Sequence, residues 1–157
     1  GFNTPTGKIE LVSTVLEQYG FEGLPVYEEP VYSPVSTPEL AMDYPLVLNS
    51  GGRVPYYTHS KLRDLPWLNQ FMPEPVVRLH PTDAEARGIT DGDPVRVFNQ
   101  FGEVAMKAEV SNIVLPGAVD VIHGWQQADI NLLTSRDFCP ITGFPPFRSG
   151  LCEVAKA

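Results

Sequence analysis

The sequence predicts a mainly β domain whose short strands close into a barrel, and three observations carry that prediction. Proline and glycine account for 16 and 13 of the 157 residues, punctuating the chain too often for long helices. Between these breakers lie six short apolar runs of strand length. One aromatic, charge-poor segment, His123 to Pro146, stays irregular throughout, as ordered functional loops do when they exceed roughly 12 to 15 residues.

Lys8 to Tyr19 begins like a strand and turns helical, with Val12, Val15, Leu16 and Tyr19 on one face. Ser13 is placed to cap that helix, Glu17 lies near its positive end, and Gly20 stops it. Phe21 to Tyr44 is proline-rich, aperiodic and acidic, which suits an extended linker. Residues 1–44 are therefore assigned as an interdomain junction and linker with a short helix, and 45–157 as the barrel.

PLVLNS, Pro45 to Ser50, is a buried-strand pattern ending at Gly51 and Gly52. VVRLH, 76–80, is a second strand. HPTDAEARGI follows as a short helix with His80 at its cap, Pro81 at its first position, Asp83 in its first turn, Arg87 in its last and Gly88 as its stop. Asp91-Gly92-Asp93 turns the chain into PVRVFNQ, and Phe101-Gly102 turns it again into EVAMKAEVS, a two-stranded reversal over 94–111. GAVDVIHG, 117–124, and LCEVAKA, 151–157, complete six strands, which a closed barrel accommodates.

Composition narrows function. A net charge of −8, from 11 Lys and Arg against 19 Asp and Glu, opposes nucleic acid as a partner. No apolar run reaches the roughly 18 residues of a membrane-spanning helix, so no direct membrane insertion is expected. Cys139 and Cys152 lack metal or redox spacing and read as half-buried thiols. His59, His80 and His123 are too dispersed for a zinc motif. The chain opens on Gly1 rather than Met, and is expected to be a piece of a longer polypeptide.

Against this acidic background, Pro45 to Arg63 contains no Asp or Glu and carries Arg53, Lys61 and Arg63 beside His59 and Ser60. Backbone amides exposed by Gly51 and Gly52, with arginine and hydroxyl donors nearby, suit a phosphate.

Taken together, TPTGKIEL (4–11), LNSGGRVPYYTHSKLR (48–63), PEPVVRLHPTDAEARGITDGDPVRVFNQFGEV (73–104), VLPGAVDVIHGW (114–125) and NLLTSRDFCPITGFPPF (131–147) resemble the C-terminal dinucleotide-binding domain of molybdopterin oxidoreductases, the dimethyl sulfoxide reductase family. That resemblance implies a six-stranded double-psi β-barrel with one or two short helices and a long structured cofactor loop, the stretch from His123 to Pro146. It implies two molybdopterin guanine dinucleotides carrying molybdenum or tungsten as the cofactor of the whole enzyme, and an oxidoreductase activity, as in anaerobic respiration.

The implied cofactor-binding residues are Ser50, Gly51, Gly52 and Arg53, matching a TGR-type turn with Ser50 where Thr is commoner and one added Gly. His59 and Ser60 match an HS/HT pair, His123, Gly124 and Trp125 an HGW block, and Asn131 and Thr134 an NxLT block. An Asn carries both donor and acceptor, suiting a base edge.

The family's metal ligand comes from an earlier domain, so no catalytic and no metal-ligating residue is assigned here, and Cys139 is not that ligand. The implied partners are the other domains of the same polypeptide. The family also allows for an iron–sulfur cluster upstream and an iron–sulfur electron-transfer subunit. An isolated fragment is expected to be inert. The alternative is a double-psi barrel acting as an adaptor module without cofactor; the acid-free window and the loop from HGW to NLLT favour the cofactor.

Overall fold

A computed structural model describes residues 1–157 and contains six strands: β1 (Leu46–Gly52), β2 (Val76–Leu79), β3 (Pro94–Asn99), β4 (Gly102–Val110), β5 (Ala118–Ile122) and β6 (Leu151–Lys156). They close into a barrel in the order β1-β5-β2-β4-β3-β6. β1 pairs with β5 and β4 with β2 in parallel, while β2–β5, β3–β6, β1–β6 and β3–β4 are antiparallel. Exchanging β1–β3 for β4–β6 leaves this pairing unchanged. That internal two-fold, with two interlocked parallel pairs, is the topology of a double-psi barrel.

The interior follows from period-two alternation. Val95 and Val97 of β3, and Val104, Met106 and Ala108 of β4, point inward between exposed neighbours. They meet Val77, Leu79, Val119, Val121 and Val154, each at most 1% exposed. Burying a side chain of this size contributes about 1.5–3 kcal/mol, so closure rests on β-branched packing.

Four short helices decorate the barrel: α1 (Thr14–Gln18), α2 (Pro38–Asp43), α3 (Pro66–Asn69) and α4 (Pro81–Ala86). Ser13 caps α1 by accepting from the Leu16 amide at 3.3 Å, as expected. His80 caps α4 by accepting from the Thr82 amide at 3.2 Å, and Gly88 adopts φ +63° beyond its end. Arg87 forms a bidentate pair with Glu153, Nε–Oε1 2.5 Å and Nη2–Oε2 3.1 Å, fastening α4 to β6. α2 falls within the segment expected to be aperiodic; Pro38 at its first turn needs no amide donor and pre-sets φ there. None of the helices is long and apolar enough to cross a membrane.

In the N-terminal segment α1 buries no residue, and Leu11, Tyr27, Val35 and Met42 are exposed. The segment meets the barrel through aromatic edges, Tyr32 against Phe101 at 5.4 Å and Tyr44 against Phe98 at 6.1 Å between ring centroids. Cys152 is fully buried, which pushes its thiol pKa well up, and Cys139 is half-buried.

Candidate cofactor cleft

The cleft begins where β1 breaks register with β5, between Asn49 and Gly52. Ser50, buried at the strand's end, donates its backbone amide to the Phe147 carbonyl at 3.0 Å and its hydroxyl to the same oxygen, fastening the loop before β6 across the strand. A Cβ on Gly51 would lie 2.7 Å from Arg148 Nε, so a side chain here would have to displace that arginine from its path across the strand. A Cβ on Gly52 would lie 2.6 Å from Asp120 Oδ1. Both glycines belong to β1 and neither has a left-handed φ. β1 breaks register with β5 between Asn49 and Gly52 and rejoins it with Gly52 opposite Ile122, and the Gly51 amide donates to Asn49 Oδ1 at 3.2 Å.

The chain after β1 is anchored by Tyr57, buried with its hydroxyl donating to the Met72 carbonyl at 2.7 Å. Its ring meets Trp125 edge-on, centroids 6.0 Å apart, and the Arg63 guanidinium lies 5.0 Å from the Trp125 ring centroid. Trp125, which no strand or helix period would bury, is only 4% exposed because these two residues enclose it. His59 adopts φ +54° and approaches His123, Nδ1 to Nε2 2.6 Å. Gly124, at φ +111°, lets the loop after β5 lie against the His59 carbonyl, which a Cβ would approach to 3.0 Å. Burial, together with the nearby His59 and Arg53 charges, holds the His123 pKa below its usual value.

Within the long loop the chain makes one turn of 3-10 helix, Ile130–Leu133, its apolar Ile130 and Leu133 buried. Asn99 of β3 donates to the Leu133 carbonyl at 2.8 Å, pinning this turn to the barrel. Asp129 Oδ1 accepts from the Asn131 amide at 3.0 Å and from Asn131 Nδ2 at 2.8 Å. Thr134 spends its hydroxyl on the Ile130 carbonyl at 3.2 Å.

Ser50, Gly51, Arg53, His59, Ser60, His123, Gly124, Trp125 and Asn131 line one cleft of about 850 Å³. Gly52 lies instead in a neighbouring cleft of about 540 Å³ with Arg78 and Asp120, and Thr134 in a narrow one beside Asn99. The main cleft also has walls that sequence reasoning left unassigned: Arg63, Gln126, Asp129 and the run Phe144 to Ser149, including Arg148. Arg63 carried a signal through its place in the acid-free window, and Gln126, Asp129 and Phe144 to Phe147 through the expected cofactor loop and its family block, whereas Arg148 and Ser149 carried none.

That window is not acid-free in space. Asp120 accepts from Asn49 Nδ2 at 3.2 Å and pairs with Arg78 Nη1 at 3.5 Å. Burial raises its pKa, with Arg78 opposing. No group of three or more His, Cys, Asp or Glu is placed to hold a metal ion.

The protein has three buried side-chain nitrogens without a hydrogen-bond partner, Arg63 Nη1, His123 Nδ1 and Trp125 Nε1, and all three residues line this cleft. Such groups each cost about 1–3 kcal/mol when left unpaired. Arginine and tryptophan can only donate, so these residues bring unsatisfied donors to the cleft walls. Residues 46–151, which hold all of its walls, match the sequence profile of the molydopterin dinucleotide binding domain. The chain belongs to that family.

This molydopterin dinucleotide-binding domain is 34% identical over 149 residues to a dopamine dehydroxylase of Eggerthella lenta, covering 85% of this chain and 15% of that protein. It is 35% identical over 124 residues to the acetylene hydratase of Syntrophotalea acetylenica, covering 79% and 17%. Against the dimethyl sulfoxide reductase DmsA of Escherichia coli K12 the identity is 32% over 171 residues, covering 98% and 21%. The solved structure of acetylene hydratase from Pelobacter acetylenicus superimposes with a TM-score of 0.92 at 29% identity, over 100% of this chain and 24% of that one. The domain thus spans between 15% and 24% of these relatives. The double-psi barrel, the dinucleotide-binding role and the dimethyl sulfoxide reductase family expected from the sequence all hold.

Proposed function

We propose that the 850 Å³ cleft holds part of a molybdopterin guanine dinucleotide in a molybdenum or tungsten enzyme of which this chain is one domain. The observation that carries this reading is the coincidence of the three unpartnered buried nitrogens with the cleft walls. Phosphate and pterin oxygens are acceptors that would satisfy them. An adaptor surface for another protein needs no such set.

In this reading Arg53, Arg63 and Arg148 supply the positive charge for the diphosphate, and Arg63 gains further from stacking on Trp125. Ser60 adds a hydroxyl. His59 and His123 share a hydrogen bond between two facing ring nitrogens, which leaves the opposite nitrogens, His59 Nε2 and the unpartnered His123 Nδ1, to bond the ligand. Asn131 contacts the nucleotide. Gly51, Gly52 and Gly124 act indirectly, by letting Arg148, Asp120 and the His59 loop approach, while Thr134 shapes the loop.

The bound metal and pterins supply the redox chemistry, and this domain binding and orientation. Residues 1–44 form the junction to the remaining domains, whose contact would cover the exposed Leu11, Val35 and Met42. An iron–sulfur cluster and an electron-transfer subunit belong to those parts, and the isolated chain is inactive.

The test is titration of the chain with guanosine 5′-diphosphate, followed by amide NMR. Shifts confined to residues 50–63, 123–134 and 144–149 are expected. Shifts mapping elsewhere, or none at millimolar nucleotide, would overturn the assignment.

A further inference from the structure

Four strands of the barrel carry a row of directly opposed polar residues. Asn49 of β1 faces Asp120 of β5, Asp120 faces Arg78 of β2, and Arg78 faces Glu109 of β4. Each neighbouring pair is bonded: Asn49 Nδ2 donates to Asp120 Oδ1 at 3.2 Å, Arg78 Nη1 to Asp120 Oδ2 at 3.5 Å, and Arg78 Nε to Glu109 Oε1 at 2.9 Å. The row ends on backbone, because Asn49 Oδ1 accepts from the Gly51 amide at 3.2 Å. Asp120 is only 8% exposed, between the core residues Val119 and Val121. A largely buried ion pair of this kind adds little net stability, since desolvation offsets the attraction. Its effect is on orientation.

That orientation reaches the main cleft through a β-bulge. Between the pairs Asn49–Asp120 and Gly52–Ile122, β1 has two residues, Ser50 and Gly51, where β5 has Val121 alone. An extra residue bends its strand and re-aims the side chains around it. Here Ser50, Gly51 and Arg53 turn into the 850 Å³ cleft, whereas Asn49, Arg78 and Asp120 line only the neighbouring one. An ionised carboxylate only accepts, so Asp120 allows the Asn49 amide one orientation, Nδ2 toward itself and Oδ1 toward Gly51. The same carboxylate packs against Gly52, where a Cβ would lie 2.6 Å from Oδ1.

We infer that Asp120 is a positioning residue for the cleft: through Asn49 it sets the bulge at Ser50 and Gly51, and with it the aim of Arg53, without touching the ligand. This rests on the dinucleotide reading above. Misaiming the bulge forfeits contacts worth about tenfold in affinity.

The experiment titrates wild type, Asn49→Asp, Asp120→Asn and the exchange carrying both substitutions with guanosine 5′-diphosphate, followed by amide NMR, and records the melting temperature of each. Asp120→Asn leaves one oxygen to face two donors, Asn49 Nδ2 and Arg78 Nη1, and Asn49→Asp sets two carboxylates opposite each other. Each single variant should move the Gly51 and Arg53 amide resonances and weaken nucleotide binding by about tenfold. In the exchange, the carboxylate at position 49 accepts from the Gly51 amide and from the amide at position 120, so most of the lost affinity should return. Single variants that melt lower but bind as wild type would overturn the inference and leave the cleft assignment standing. Failure of the exchange to recover affinity, or loss of the dispersed spectrum in either single variant, would do the same by making Asp120 a determinant of folding alone. Binding by no form, wild type included, would overturn both.

Discussion

His59 Nδ1 and His123 Nε2 lie 2.6 Å apart, so the loops after β1 and β5 are joined by one shared proton. The contact requires His59 in the left-handed region and a glycine at 124. A proton on both facing nitrogens would leave the contact without an acceptor and set two N–H groups against each other.

The first prediction follows from the lowered pKa of His123, caused by burial and then by His59 and Arg53, with Asp120 opposing. A histidine whose folded pKa lies below its unfolded value near 6.5 binds fewer protons folded than unfolded. Stability is therefore full above about pH 6.5 and declines as pH falls from there through the folded value. Urea unfolding midpoints between pH 5.5 and 7.5 (about one unit either side of the unfolded value) should fall on acidification, and His123→Gln should flatten that slope. An unchanged slope in the variant would assign the dependence to other groups.

Trp125→Phe deletes an unpartnered N–H while keeping a ring for Arg63 and Tyr57. Relief of the orphaned donor offsets the lost volume, so stability should stay within about 1 kcal/mol of wild type, against about 3–5 for Trp125→Ala. Affinity for guanosine 5′-diphosphate should nevertheless drop in the Phe variant, as calorimetry or NMR titration would show.

Gly52→Ala is expected to destabilise the chain by about 1–3 kcal/mol, because the new Cβ meets the Asp120 carboxylate and Asn49 and Arg78 restrain that carboxylate. In an Asp120→Ala background the penalty should largely vanish. A double-mutant cycle by denaturant unfolding should show coupling above about 0.5 kcal/mol; additivity would mean that the strand itself, not Asp120, demands the glycine.

Asn131 is exposed, and its side chain bonds only Asp129 within the protein. Asn131→Ala should therefore shift the melting temperature of the chain little, while lowering nucleotide affinity by about tenfold to a hundredfold. Strong destabilisation with unchanged affinity would make Asn131 a structural turn residue.

The sequence by itself determined the elements whose signals are local. Six strands lay between their breakers, α4 had Pro81 before it and Gly88 after it, and α1 had Ser13 as its cap, because turn and cap chemistry is written within a few residues. Family resemblance added the blocks that line the cleft, from Ser50 to Asn131. Tertiary structure decided what depends on distant contacts.

The parallel pairing of β1 with β5 sets Asn49 opposite Asp120, placing an acid beside a window that lacks one in sequence. The same pairing turns Gly51 and Gly52 into sites of close approach. Trp125 is buried by Tyr57 and Arg63 from another loop, and Arg148 reaches the cleft because Ser50 holds Phe147. Side chains that meet across barrel closure share no sequence period, so only the closed barrel shows which of them form one site.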